Sequence, residues 1–456
     1  MADDPLSSDA REYWPTCPHS DLNPSRDAPQ RETHGVSLKN YIRFLLDCPN
    51  PLAFGMALML ASSLGQTYFI AIFGVSLRSE FGLTDGSLGA LYAGATVISA
   101  LTLSRVGRWI DRTTVPRFTV AVVSMLALGC LTMYLCTGPV SLVVAFFLLR
   151  LCGQGLMVHT ALTATARTFS VNRGTAISIV ALGLPLGEAI LPSLTVFAIL
   201  TLGWRNTWML VGSGLLLLVL LSLRLLSEPR KVKEDRVRTR MEEAREQSPQ
   251  RPMPASGETS LWRDRRFQLS MPAILASPFI STGFFFHQVR LASEMRWSMA
   301  WVATAFVAYA VARVAGMIAA GPLIDRFAAS RVLPVVLIPQ MIALLLVAML
   351  GGDWVAIPYF ALFGITSALV NVLATALWVE IFGPNRLASV RASVEAMNVL
   401  ATGASPLLLG LLIDAGVALA HQALACAMYC LLASALAYRL ASESKGVAPS
   451  VSYTHL

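Results

Sequence analysis

Runs of about twenty apolar residues, the length a helix needs to cross the hydrocarbon core of a bilayer, recur along almost the whole chain. They fall near 52–73, 88–103, 118–135, 140–161, 176–202 and 208–225, and again near 269–286, 301–320, 332–350, 355–379, 394–413 and 419–440. Their apolar residues are continuous and do not alternate, so the runs read as helices and not as barrel strands. Only 14% of the 456 residues are charged, against about 25% in soluble domains. The expectation is an all-α membrane protein with twelve transmembrane helices, separated mostly by Gly, Pro and charge clusters.

The formal net charge of +8 invites a nucleic-acid partner, but the placement of the basic residues decides against one. Most of the 35 Lys and Arg residues lie in the N-terminal tail, in the 227–268 segment and in the loops after even-numbered spans. The opposite loops hold only Arg78, Arg205, Arg290 and Arg296. The positive-inside rule therefore places both termini in the cytoplasm and accounts for the charge without nucleic acid. The expected location is the plasma (inner) membrane. Asp3, Asp4 and Asp9 stand where a signal peptide would carry basic residues. The seven cysteines have no metal-ligand spacing, and packing in apolar helices is their expected role.

Two segments repeat. "GRWIDRTTVPR" from Gly107 is echoed by "GPLIDRFAASR" from Gly321, at an offset of 214. After the fourth and tenth spans, Phe169/Phe382, Asn172/Asn385 and Arg173/Arg386 recur at an offset of 213. Two motifs in one register predict a duplicated six-helix unit. The organisation that follows is a polar cytoplasmic tail over 1–50, a first half over 51–226, a solvated linker over 227–268, a second half over 269–441 and a tail over 442–456. The last six residues, "VSYTHL", are also what the end of a common sequencing-library transposon adapter encodes in one frame, so 451–456 are expected to be adapter translation.

The loop motif resembles that of the major facilitator superfamily. Gly107, Asp111, Arg112 and Arg117 match it, and Gly321, Asp325, Arg326 and Arg331 match it again, with Thr114 and Ala328 where a second glycine is usual. The resemblance implies two halves that rock around a central cavity, with Gly107, Asp111, Arg112, Gly321, Asp325 and Arg326 gating one side. "RLCGQG", with Arg150 and Gln154, resembles a further superfamily motif, and "GLPLGE" around Pro185 partly resembles an antiporter motif. "YAVARVAGMIAAGPLID" is similar to the eighth helix of the monocarboxylate and oxalate/formate branch, in which an arginine is associated with the substrate carboxylate. Arg313 matches that arginine, while Tyr309 stands where the branch often has an aspartate.

A charge in mid-membrane costs about 2.5–3.5 kcal/mol on insertion scales, so each one calls for a partner or a watery cavity. Scaffold residues should tend to recur in both halves, whereas a site is free to be asymmetric. By the two offsets Arg150 faces Phe363, Glu188 faces Ala401, His287 faces Phe73 and Arg313 faces Ser99, so none is repeated as an ionisable group. Arg313 offers a bidentate fork to a carboxylate; the competing reading is a fixed pair, with Glu188 as a partner. Glu188 carries a transported proton or completes such a bridge. His287, after three phenylalanines, titrates or caps an aromatic patch. Arg150 with Gln154 forms a polar stripe assigned to coupling, while His159, nine residues on, faces the other way and is read as packing. Gln66 and Thr67 join Arg313 and Tyr309 as candidate cavity-lining residues, and Arg391 and Glu395 suggest a local ion pair.

No Walker loop, HExxH, paired CxxC or Ser-His-Asp arrangement is present in the sequence, so neither an enzyme nor an ATP-driven pump is expected, and no cofactor. The expected function is secondary transport of small organic anions, above all monocarboxylates, with a proton or in exchange for another anion. The alternatives are drug or metabolite efflux by proton antiport and a non-transporting membrane sensor.

Overall fold

The computed structural model describes residues 49–169, 173–226, 261–383 and 386–444. The N-terminal tail, most of the linker and the "VSYTHL" segment lie outside the described residues, as do Asn172 and Asn385 of the second echo. In chain order the α-helices are α1 Pro49–Ser62, α2 Thr67–Ile72, α3 Gly74–Phe81, α4 Asp85–Val106, α5 Val115–Tyr134, α6 Pro139–Leu148, α7 Val158–Thr168, α8 Arg173–Ala181, α9 Gly183–Leu202 and α10 Trp204–Leu226. After the linker come α11 Arg265–Phe286, α12 Gln288–Met295, α13 Met299–Phe327, α14 Ala329–Val332, α15 Ile338–Met349, α16 Ala356–Phe382, α17 Leu387–Asp414 and α18 Leu419–Ser444. Among the described residues, ten helical segments are long and apolar enough to cross a membrane. The 23-residue α10 and the interrupted first span complete the twelve.

The first span departs from the expected single helix. It stops at Ser62, passes through a 3-10 turn at Ser63–Gly65 and an extended Gln66 (φ −78°, ψ 150°), and resumes at Thr67. The break sits where two glycine backbones touch: a Cβ on Gly65 would lie 2.5 Å from the Gln154 nitrogen and 2.7 Å from the Gly153 Cα. Such close approach needs glycine on both sides. The fourth span answers with a stretch of π-helix, Leu149–Met157, between α6 and α7. Its Arg150 Nη1 donates to the Gly65 carbonyl at 3.3 Å. Irregular backbone at membrane depth is thereby satisfied by a side chain.

The duplication is visible in backbone detail. Phe73 and His287, 214 apart, are the junction residues between a span and the short helix after it. Gly82 (φ 62°) and Arg296 (φ 60°) both end those short helices in the left-handed conformation. Thr84 and Ser298 then cap the next helices, accepting from the Ser87 and Trp301 backbones. The repeated loops differ in one respect. Thr114 is ordinary extended backbone (φ −75°), but Ala328 takes φ 64° and ψ 150°, a region used essentially only by glycine, at a strain of about 1–3 kcal/mol. The missing glycine therefore matters in the second loop and not in the first.

The halves meet along α4 with α17 and α9 with α13. At the end of the bundle away from the repeated loops, α4 and α17 touch backbone to backbone: a Cβ on Gly89 would lie 2.5 Å from the Pro406 carbonyl oxygen, and one on Gly410 2.6 Å from the Asp85 carbonyl oxygen. That end is zipped shut.

Candidate functional site

A cavity of about 300 Å³ lies between the two halves. The first half contributes Gln66, Thr67, Tyr68, Gln154 and Glu188, and the second contributes Ser281, Tyr309, Arg313, Asn371, Glu395 and Asn398. Gln66 and Thr67 reach it because the first span breaks beside them. Glu188 is 4% exposed, and Arg313 Nη1 on α13 donates to its Oε1 on α9. A buried ion pair of this kind joins the halves across the cavity wall. One atom on each side is left over: Glu188 Oε2 and Arg313 Nε are buried without a hydrogen-bond partner.

Tyr309, in the position of the branch's aspartate, packs its ring 5.9 Å from the Arg313 guanidinium carbon, and its hydroxyl donates to Ser367 Oγ at 3.5 Å. Phe285 stands edge-on to that ring at 5.3 Å. Phe285 and Tyr309 thus form an aromatic part of the cavity lining beside the ion pair.

The expected site residues do not all gather here. Arg150 is 5% exposed and sits behind the cavity wall, donating to the Gly65 carbonyl and to Thr67 Oγ1 at 3.5 Å, with the Tyr92 ring 5.2 Å away. Thr67 Oγ1 also shares a 2.7 Å hydrogen bond with the Tyr92 hydroxyl. His287, 1% exposed, lies instead at the zipped end. Its ring does meet Phe286 edge-on at 5.1 Å, but it also faces Asp85 and the Pro406 carbonyl. His159 is exposed, and its Nε2 lies 3.1 Å from the Gly107 carbonyl oxygen.

Of the gating set, Gly107 opens a 3-10 turn over Gly107–Asp111, and Arg167 from α7 donates to the Ile110 carbonyl at 3.3 Å. Arg112 is exposed. Gly321 lies inside the unbroken α13, and Arg326 stacks on Phe327 at 5.1 Å. The side chains of Asp111 and Asp325 lie outside the described residues. The expected Arg391–Glu395 pair is not formed among the described ion pairs; Glu395 faces the cavity instead.

Sequence reasoning passed over Asn371 and Asn398, although an asparagine inside an apolar span is itself a signal. It also passed over Asp85 and Asp414, whose positions at span ends read as loop.

The profile of the Major Facilitator Superfamily matches residues 55–307, more than half of the chain. The chain belongs to the major facilitator superfamily. Solved structures of superfamily transporters share its fold at low identity. A bacterial homologue of the human lysosomal transporter Spinster, inward-facing and occupied, aligns with a TM-score of 0.67 at 13% identity, over 91% of this chain and 100% of that one. Its unoccupied form gives 0.65 at 14% over the same shares. A variant of the nucleoside transporter NupG gives 0.65 at 14%, over 86% of this chain and 98% of that one. No curated protein sequence matches significantly. This superfamily transporter thus has its fold shown, and its cargo has to be argued from the cavity.

Proposed function

We propose that the chain moves a small organic anion, above all a monocarboxylate, together with a proton, by alternating access in the plasma (inner) membrane with both termini cytoplasmic. The observation that carries this reading is the Arg313–Glu188 pair, which faces the cavity with one unpartnered atom on each member. A carboxylate entering the cavity competes with Glu188 for the guanidinium, whose fork suits two oxygens. Glu188, released in a buried site, takes up a proton because an unpaired buried carboxylate is costly. Anion and proton then travel together, and the wall regains its ion pair only when both have left. Gating by Gly107, Asp111, Arg112, Gly321, Asp325 and Arg326, and coupling through Arg150, belong to this proposal on family grounds.

A second reading is favoured by Glu395, Asn371 and Asn398 in the lining. With Arg313 already paired, the lining has one carboxylate in excess and four amides, Gln66, Gln154, Asn371 and Asn398, which suits an uncharged polar or cationic substrate. A nucleoside transporter is among the similar folds, and efflux of drugs or metabolites would fall under the same chemistry.

Uptake into proteoliposomes separates them. Labelled lactate, pyruvate, formate and oxalate, a nucleoside and two cationic drugs are offered with and without an inward proton gradient, to wild type, Arg313→Ala, Arg313→Lys and Glu188→Gln. The expected result is gradient-driven carboxylate flux, lost well over about tenfold in Arg313→Ala because truncating a buried charge partner costs about 2–5 kcal/mol. Arg313→Lys keeps part of the flux, and Glu188→Gln binds carboxylate without responding to the gradient. Flux of the nucleoside or drugs alone, surviving Arg313→Ala, overturns the anion reading. Binding without any flux makes the chain a sensor.

A further inference from the structure

At the zipped end, a buried histidine from the second half meets an aspartate from the first, and that aspartate is in turn tied to Arg78 and, through its backbone, to Asp414. His287, between α11 and α12, places Nε2 2.9 Å from the Pro406 carbonyl oxygen on α17 and Nδ1 3.4 Å from Asp85 Oδ1 at the start of α4. Nδ1 has no hydrogen-bond partner, and the residue is 1% exposed. A neutral imidazole has one N–H, so facing two oxygen acceptors it must turn a lone pair toward one of them. The imidazolium donates toward both. We propose that His287 is a second proton site, separate from the cavity, and that its protonation latches this end of the bundle shut.

Next to it, Asp85 is itself held from several sides. On α3, Arg78 Nη1 is 2.9 Å from Asp85 Oδ1. On α17, the Asp414 carboxylate accepts from the Asp85 and Gly86 backbone N–H groups at 3.1 and 2.9 Å, closing over the start of α4. On α12, Arg290 pairs with Glu294 at 3.1 Å and also acts through space on Asp85. Asp85 thus faces Arg78 and the His287 ring, and a protonated His287 adds a second direct cationic partner to it. Asp414 is exposed, so solvent reaches the cluster from that end.

The repeat argues that these residues serve motion and not scaffold. Arg78, Asp85, His287 and Asp414 correspond to Ala292, Met299, Phe73 and Thr201, none of them ionisable. By contrast Glu80 and Glu294, 214 apart, are repeated, and each ties its half together: Glu80 to Trp204 and Arg205, Glu294 to the Leu419 backbone. The latch joins the halves where the repeated acids do not. Closure of this end takes up one proton, so it is favoured at acidic pH and weakened as pH rises. For one proton the closed-to-open ratio changes by at most about tenfold per pH unit.

The test uses no substrate, so it stands or fails independently of the anion reading. Spin labels are placed at the exposed positions 79 and 293 through Ser79→Cys and Ser293→Cys, in a full-length background without the native cysteines, and distances are measured in nanodiscs from pH 5 to 9. Wild type is expected to lose its short-distance population as pH rises. His287→Gln is expected to abolish the pH dependence. Asp414→Asn, at an exposed site that does not endanger folding, removes one of the cluster's carboxylates and should move the transition to lower pH. A pH-independent distribution in wild type, an undiminished pH response in His287→Gln, or no shift in Asp414→Asn overturns the proposal.

Discussion

Two sets of polar fasteners hold this bundle, one within the halves and one between them, and they are built differently. Within the halves the same position does the same job twice. Glu80 and Glu294 each anchor the short helix after a span to the start of that half's last helix. Arg167 and Glu380, 213 apart, both tie the fourth helix of a half to the loop after its second, although the chemistry is exchanged. Arg167 donates to a carbonyl, whereas Glu380 accepts from the Ala329 and Ser330 backbones at 2.9 and 3.3 Å. Between the halves, among the described residues, the ionic contacts are not repeated: Arg313–Glu188 and the His287 cluster occur once each. In the proposed cycle, the contacts that would have to break are the unrepeated ones. Those that would stay formed are copied with the scaffold.

The comparison breaks most readily between the halves. Gly89→Val drives a side chain into the Pro406 backbone, which cannot yield as a flexible side chain would. Overpacking costs about 1–3 kcal/mol, and applied to one state of a two-state cycle this is a shift of roughly 5- to 150-fold. Uptake should fall accordingly while the melting temperature in detergent changes little. Equal loss of both would mean that α4 and α17 never separate.

Within the second half, Glu380→Ala leaves helix-start donors of α14 without their acceptor, a loss of about 0.5–2 kcal/mol by analogy with N-cap removal. Here thermal stability should fall, and the distance distribution between positions 79 and 293 should keep its pH response. A changed pH response would show that this fastener belongs to the moving set.

The smallest effect is expected at Glu80. The Arg205 hydrogen bond holds its carboxyl below the ordinary glutamate range. A depressed folded value means that the stabilisation is present at neutral pH and is lost as pH falls below the ordinary range through the folded value. The pair is exposed, with side chains 31% and 39% accessible, so it contributes only about 0.2–1 kcal/mol. Glu80→Gln should lower the melting temperature slightly at pH 7 and by less at pH 3. A difference undiminished at pH 3 would assign the effect to packing.

Much of the fold was legible in the chain because bilayer thickness fixes helix length and because a duplicated motif keeps its register. The 214-residue offset located His287 and Phe73 as equivalent positions, and the structure uses both as junctions. The broken first span was not legible: its break depends on Gly65 meeting Gly153, and only the packed backbones show that. Arg391 and Glu395 have the spacing of a helical pair, but Glu395 faces the cavity. A cavity is a property of several helices at once.

The sequence by itself determined that this is a membrane protein of twelve spans in two related sets, since hydropathy and repetition are one-dimensional. Only the tertiary structure decided which buried charges meet. Glu188 and Arg313 are 125 residues apart in the chain, and Asp85 and His287 come from different halves. Partner choice among buried groups follows from the crossing of helices from different halves, and no local pattern encodes that.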